Sequence, residues 1–134
     1  MTKKIIQTPD APAPIGPYSQ AIQVDQMLFL SGQVAINPQT GNLETADIQM
    51  ETHQVMHNLK AVLQAAGMDF RHVVKTAIFL SDMSLFGSVN EIYGKYFTGD
   101  FPARETVAVK TLPKNANVEI SMIAVGDSPM PSRP

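Results

Sequence analysis

The sequence predicts an α+β fold, a mixed sheet with helices on one face. Three observations carry this. Short apolar runs with the two-residue period of strands lie on either side of two segments with a helical apolar period. The order of these segments is strand, strand, helix, strand, helix, strand, strand. Two of the strands, Val73–Leu80 and Val118–Val125, carry apolar residues at both parities, although two helices cover only one face of a sheet. The second face is therefore expected against another subunit.

Each element has a local reason. Pro9, Pro12, Pro14 and Pro17 make the first segment irregular or extended, because each proline lacks a donor and restrains its predecessor. Ala21–Val24 and Met27–Ser31 flank Asp25-Gln26 and read as a hairpin whose second strand ends at Ser31-Gly32. A loop follows through Asn37-Pro38 and Thr40-Gly41-Asn42. Asp47 is a good N-cap for a helix to about Ala66, stopped by Gly67, with Val55, Leu59, Val62, Leu63 and Ala66 on its apolar face. Val73–Leu80 is expected to be a strand buried on both faces. A second helix, about Ser84 to Phe97, stacks Leu85, Val89, Ile92, Tyr93 and Tyr96. The last strands are Thr106–Lys110 and Val118–Val125. Residues 1–127 are expected to form a single domain, and Ser128–Pro134, with three prolines, a disordered tail.

Composition narrows the function classes. The chain has 134 residues, 44% of them hydrophobic, enough for one core. Ten basic and twelve acidic residues give a net charge of -2, with no basic block beyond Lys3-Lys4, so a nucleic-acid partner is not expected. The absence of cysteine removes disulfides, thiolate metal sites and thiol nucleophiles together. No signal-peptide core can be drawn and no run approaches the ~20 apolar residues of a membrane span, which points to the cytoplasm.

The chemistry concentrates in Phe101-Pro102-Ala103-Arg104-Glu105-Thr106-Val107 and in Glu119, set inside Val118-Glu119-Ile120. Each charge opens a short strand, where it needs a partner or a ligand to offset desolvation. An arginine fork suits a small carboxylate, and a glutamate facing the same cavity could hold or deprotonate a water; a purely structural ion pair is the competing reading. Strand alternation puts Arg104 with Thr106 and Ala108 on one face and Glu105 with Val107 on the other, so Glu105 should not neutralise Arg104. If the last two strands run antiparallel, Arg104 and Glu119 lie about 15 Å apart within one chain and could meet only across a subunit interface.

Other candidates are weaker. His53 and His57 have metal-ligand spacing, but Gln54 replaces the glutamate of a zinc-protease motif and no third ligand is evident, so a metal is not expected. With Glu51, Thr52, Gln54 and Asn58 around them, they read as a solvated helix face. His72 reads as a surface residue. No nucleophile elbow, phosphate loop or dinucleotide fingerprint is present, so no nucleotide cofactor is supported. Gly32 would let a ligand approach the backbone amide or merely let the chain turn. Tyr18 fits a core aromatic and Asn90 a polar surface position.

Pro102-Ala103-Arg104, Val107, Lys110, Leu112-Pro113 and Val118-Glu119-Ile120, with Ile15-Gly16-Pro17-Tyr18-Ser19-Gln20 and Ser31-Gly32-Gln33 upstream, resemble the reactive intermediate deaminase family (RidA/YjgF) over about residues 4 to 126. The resemblance implies a chorismate-mutase-like fold with a six-stranded mixed sheet and two helices on one face. It also implies a homotrimer around a central barrel, with ligand clefts between subunits. The implied activity is hydrolysis of reactive enamines and imines, such as 2-aminoacrylate and 2-iminobutanoate, to 2-keto acids and ammonia, with no cofactor. Such substrates arise from pyridoxal-phosphate-dependent dehydratases. On this resemblance Arg104 would clamp the substrate carboxylate, Glu119 would orient or activate the attacking water, and the Gly32 amide would help fix the ligand. Tyr18, Ser31 and Thr106 would shape the pocket, and Asn90 would line it. Glu105 stands where the family usually has a small residue and Thr106 where many members have cysteine, so a thiol is not needed here. The competing classes are a keto-acid-binding sensor with little turnover and the ribonuclease or translation-inhibitor activity attributed to some relatives, which the charge disfavours.

Overall fold

The structure, a computed structural model, describes residues 2–127. Six strands form one sheet in the order β1-β2-β3-β6-β4-β5. They are β1 (Lys3–Ile6), β2 (Ala21–Val24), β3 (Met27–Gln33), β4 (Val73–Leu80), β5 (Ala103–Ala108) and β6 (Val118–Val125). Two helices, α1 (Ile48–Ala65) and α2 (Phe86–Gly94), pack on one face. Neighbouring strands are antiparallel except β4 and β5, which are parallel and are joined through α2.

Local chemistry explains the boundaries. Asp47 caps α1 by accepting the Met50 amide at 2.7 Å, and Gly67, at φ 75°, adopts the left-handed conformation that ends it.

 The core forms where Val55, Met56, Leu59, Val62 and Leu63 of α1 meet Leu28, Leu30, Ile78, Leu80, Val118 and Ile120 of the sheet. α1 and β6 fall where the sequence places them, and so does the hairpin, except that β3 runs on to Gln33, past Ser31-Gly32.

Other expectations need correction. The residue pattern misses β1, because Lys3-Lys4-Ile5-Ile6 is an edge strand that buries Ile6 alone. The second helix starts later than Ser84: Asp82 accepts the Ser84 amide and caps a 3₁₀ turn, Met83–Leu85, before α2 begins, and α2 stops at Gly94 rather than Phe97. β5 begins at Ala103 and ends at Ala108, earlier than Thr106–Lys110. β4 is buried on its helix-facing side, through Thr76, Ile78 and Leu80, but only half-buried at Lys75, Ala77 and Phe79. The other face of the sheet is thus uncovered in the chain, and Met27, Phe29, Val107 and Val125 stand exposed there. The expected tail at 128–134 lies outside the described residues.

The polar side chains near the histidines are not a solvated face. Glu51, Thr52 and Asn58 are buried, and His53 Nδ1 is hydrogen-bonded to the Tyr96 hydroxyl at 2.7 Å. Asn58 donates to the carbonyls of Val34 and Ile36, and Glu51 accepts the Asn117 amide at 2.7 Å and its side-chain Nδ2 at 2.9 Å. His72 is also buried, with Nδ1 accepting the Asp69 amide at 3.0 Å. The helical period hid these roles, because a polar side chain satisfied by loop backbone looks the same in sequence as one facing water.

Removing the Glu51 carboxylate leaves two donors of Asn117 without their acceptor. Glu51→Ala should therefore cost about 1.5–3 kcal/mol, read from the urea midpoint at constant m-value; an unchanged midpoint would show that the buried carboxylate contributes nothing net.

Candidate functional site

Glu119 lies on β6 opposite Phe79, on the uncovered face of the sheet. Beside it, β3 carries an irregularity between Leu30 and Gln33 that brings the Gly32 backbone against the carboxylate. A Cβ at Gly32 would overlap Glu119 Oε2 and lie 3.0 Å from its Cδ, so the missing side chain is what makes room for the acid. The Glu119 carboxylate has no hydrogen-bond partner among the described residues, and burial pushes its pKa up from the ordinary carboxylate value.

A cleft of about 390 Å³ opens at this point, lined by Tyr18, Ser31, Gly32 and Glu119 together with Pro12, Ile15 and Lys114. Ser31 Oγ donates to the Ser19 carbonyl at 2.6 Å, which fixes its rotamer. Tyr18 is 52% exposed, so it is a wall of the cleft and not a core aromatic. Gln20 holds the proline-rich strap that forms another wall. Its side-chain Oε1 accepts the Thr8 amide at 2.7 Å, and its Nε2 reaches the carbonyls of Thr8, Ala11 and Pro12.

Arg104 lies elsewhere. It pairs in register with Thr76 on the helix-facing side of the sheet edge, in a separate cavity of about 410 Å³ lined by Asn90, Tyr93, Gly94, Phe101, Pro102 and Arg104. Its Nη1 donates to Asn90 Oδ1 at 2.7 Å, and its guanidinium carbon sits 5.2 Å from the Tyr93 ring centroid and 5.6 Å from that of Phe86. Glu105 points the other way and pairs with Lys75 at 3.2 Å, as alternation requires. Thr106 shares the face of Arg104 but lines neither cavity, and its hydroxyl is buried without a partner.

The predicted residues therefore fall into two groups. Tyr18, Ser31, Gly32 and Glu119 share one cleft, while Arg104 and Asn90 share the other. The final two strands are not neighbours, because β4 lies between them. Arg104 is level with Thr76 and Glu119 with Phe79, so they are three residues apart along the strands, two strands apart across the sheet, and on opposite faces. That is a backbone separation of about 14 Å. Sequence reasoning missed Phe86, Tyr93 and Lys114. The spacing of Phe86, Asn90 and Tyr93 was the available signal for the first two, since it puts them on one helix stripe; Lys114 enters its cleft through a backbone at φ 56°, which no periodicity reveals.

The chain is thus a one-sided α+β sheet with a carboxylate cleft on its bare face and an arginine cavity at its edge. Comparison with known proteins makes this specific. The family model described as Endoribonuclease L-PSP matches residues 8–126, and the chain belongs to that family, the RidA/YjgF proteins. Protein DfrA of Myxococcus xanthus is 53% identical over 127 residues, spanning 93% of this chain and 97% of its own. A mouse protein named 2-iminobutanoate/2-iminopropanoate deaminase is 50% identical over 123 residues, spanning 92% of this chain and 91% of its own. The crystal structure of Escherichia coli TdcF with bound serine superposes with a TM-score of 0.89 at 38% identity, covering 92% of this chain and 99% of that one. The α+β architecture with a six-stranded mixed sheet and two helices matches these structures.

Two outcomes follow from the Glu119 cleft. Because burial raises the pKa of this acid, the folded state holds its proton more tightly than the unfolded one, and ionisation costs stability as pH rises from the unfolded value through the folded one. Glu119→Gln should then raise the urea midpoint at pH 7 and leave it unchanged near pH 3, where both states are protonated. Gly32→Ala should destabilise the protein by about 1 kcal/mol through its clash with the carboxylate, and by much less in a Glu119→Ala background; a double-mutant cycle with no coupling would contradict the close approach.

Proposed function

We propose that this protein hydrolyses reactive enamines and imines of 2-keto acids, such as 2-aminoacrylate and 2-iminobutanoate, to the 2-keto acid and ammonia. Half of its aligned residues are identical to the mouse protein named for that activity, and TdcF supports a small amino-acid-like ligand in the fold. The observation that carries the reading is the pair of opposed half-sites. One chain offers an arginine without an ion-pair partner among the described residues, and on its other face a carboxylate without a hydrogen-bond partner among them. A small acid bearing a C=N group needs both.

In this mechanism Arg104 binds the substrate carboxylate through its fork. The Gly32 amide helps to fix the ligand, with Tyr18 and Ser31 as walls of the cleft. An enamine first tautomerises to its imine; Glu119 then takes a proton from water as the oxygen attacks the imine carbon, the C=N electron pair moves to nitrogen, and Glu119 delivers that proton to the nitrogen. The resulting carbinolamine collapses when nitrogen leaves as ammonia, with the hydroxyl proton returned through Glu119, and the C=O bond forms. The upward shift of the Glu119 pKa brings it closer to working pH and makes it the stronger base. Imines hydrolyse in water unaided, so orientation and one proton-transfer group suffice.

The two half-sites meet, on this reading, between protomers of a homotrimer whose bare sheet faces pack together as a central barrel. The exposed Met27, Phe29, Val107 and Val125 and the opposed directions of Arg104 and Glu119 support that arrangement. Among the described residues no helix is long and apolar enough to cross a membrane. A cytoplasmic location fits the lack of cysteine. The net charge of -2 gives a nuclease reading of the family description no electrostatic support.

The test generates the imine in place from serine or threonine with a dehydratase and traps it with semicarbazide. Wild-type protein should suppress the adduct, while Arg104→Ala and Glu119→Ala should each lose at least about 100-fold in kcat/KM. Refolding the two inactive variants together at equal amounts should restore about a quarter of wild-type activity, the share of intact sites in randomly assembled cyclic trimers. No recovery from a properly assembled mixture would put both groups in one chain's site.

A further inference from the structure

We infer that Tyr93 and Phe86 are positioning residues that fix the plane of the Arg104 guanidinium and thereby make the clamp selective for planar carboxylates over tetrahedral anions. The inference rests on the assignment of Arg104 to the substrate carboxylate. Phe86, Asn90 and Tyr93 follow one another at helical spacings of four and three, so α2 presents them as one stripe toward β5. Asn90 takes the Nη1 edge at 2.7 Å, and the two rings lie 5.2 and 5.6 Å from the guanidinium carbon, within the range of cation–π attraction. Among the described residues Nε and Nη2 make no hydrogen bond, which leaves that edge of the fork for a ligand.

The platform itself is anchored. Tyr93 is 3% exposed, and its hydroxyl donates to Thr76 Oγ1 at 3.0 Å. Thr76 is fully buried on β4 and is the register partner of Arg104 itself. The ring is therefore tied to the strand beside the arginine it supports. Burial raises the Tyr93 pKa, so the phenol stays neutral while its face meets the cation. A guanidinium packed against two rings of one helix stripe and bonded along one edge has lost much of its rotational freedom before a ligand arrives. It matches two coplanar oxygens and cannot turn to follow three tetrahedral ones.

Calorimetric titration of the assembled protein with pyruvate and with acetylphosphonate tests this. Tyr93→Leu should weaken pyruvate about 10-fold and acetylphosphonate less than about 3-fold, and should raise KM about 10-fold with kcat within about 2-fold of wild type. Tyr93→Phe, which keeps the ring, should retain most of the preference. Loss of a merely structural residue would weaken both ligands alike. If Tyr93→Leu does not fold, Phe86→Leu, at a half-buried position, carries the same readout. Unchanged preference in a folded variant would overturn the inference while Arg104→Ala still abolished pyruvate binding. Pyruvate binding that survived Arg104→Ala would instead remove the clamp on which the inference rests.

Discussion

Strand alternation around β4 is the constraint on which the arrangement depends. β4 pairs with β5 on one side and β6 on the other, and the two registers set Arg104 beside Thr76 and Glu119 beside Phe79. These positions on β4 have opposite parity, so their partners face opposite sides of the sheet. No rotamer change in either side chain brings the two groups together in one chain. The helix-covered side then supplies an aromatic cradle for the cation, and the bare side supplies a partly desolvated wall for the acid.

Buried polar contacts hold the surroundings of each group. Glu51 in the first turn of α1 binds Asn117, two residues before Glu119, and Asn117 in turn accepts from the backbone and hydroxyl of Ser81 at the end of β4. Gln20 performs a comparable task for the strap, whose prolines offer no amide hydrogens of their own. Both side chains satisfy irregular backbone with a rigid element of the fold. The walls of the Glu119 cleft are thus loops fastened from behind.

Much of this was legible in the sequence where a period or a cap dictates the outcome. Asp47, the apolar stripe of α1 and the short apolar run of β6 identify their elements. Glu105 was correctly read as turned away from Arg104, because parity alone decides it. The strand order was not legible: nothing local says that β4 inserts between β5 and β6, since register is settled by long-range pairing. Nor were the burial of His72 and Glu51 or the placement of Lys114, each of which depends on loop geometry. Arg104, Glu119, Gly32 and Tyr18 stand out as a motif, and strand geometry already separates Arg104 from Glu119 within one chain; that β4 lies between their strands and that they face opposite sides of the sheet emerges only from the folded chain.

The opposition of Arg104 and Glu119 also has a consequence for how the protein behaves in solution. If a working site needs one face from each of two chains, the number of sites is governed by mass action rather than by the number of folded chains. Dilution would remove activity before it removed secondary structure, and small ligands bridging the two faces would draw protomers together. The substrate would then act as part of the adhesive that holds its own catalyst assembled.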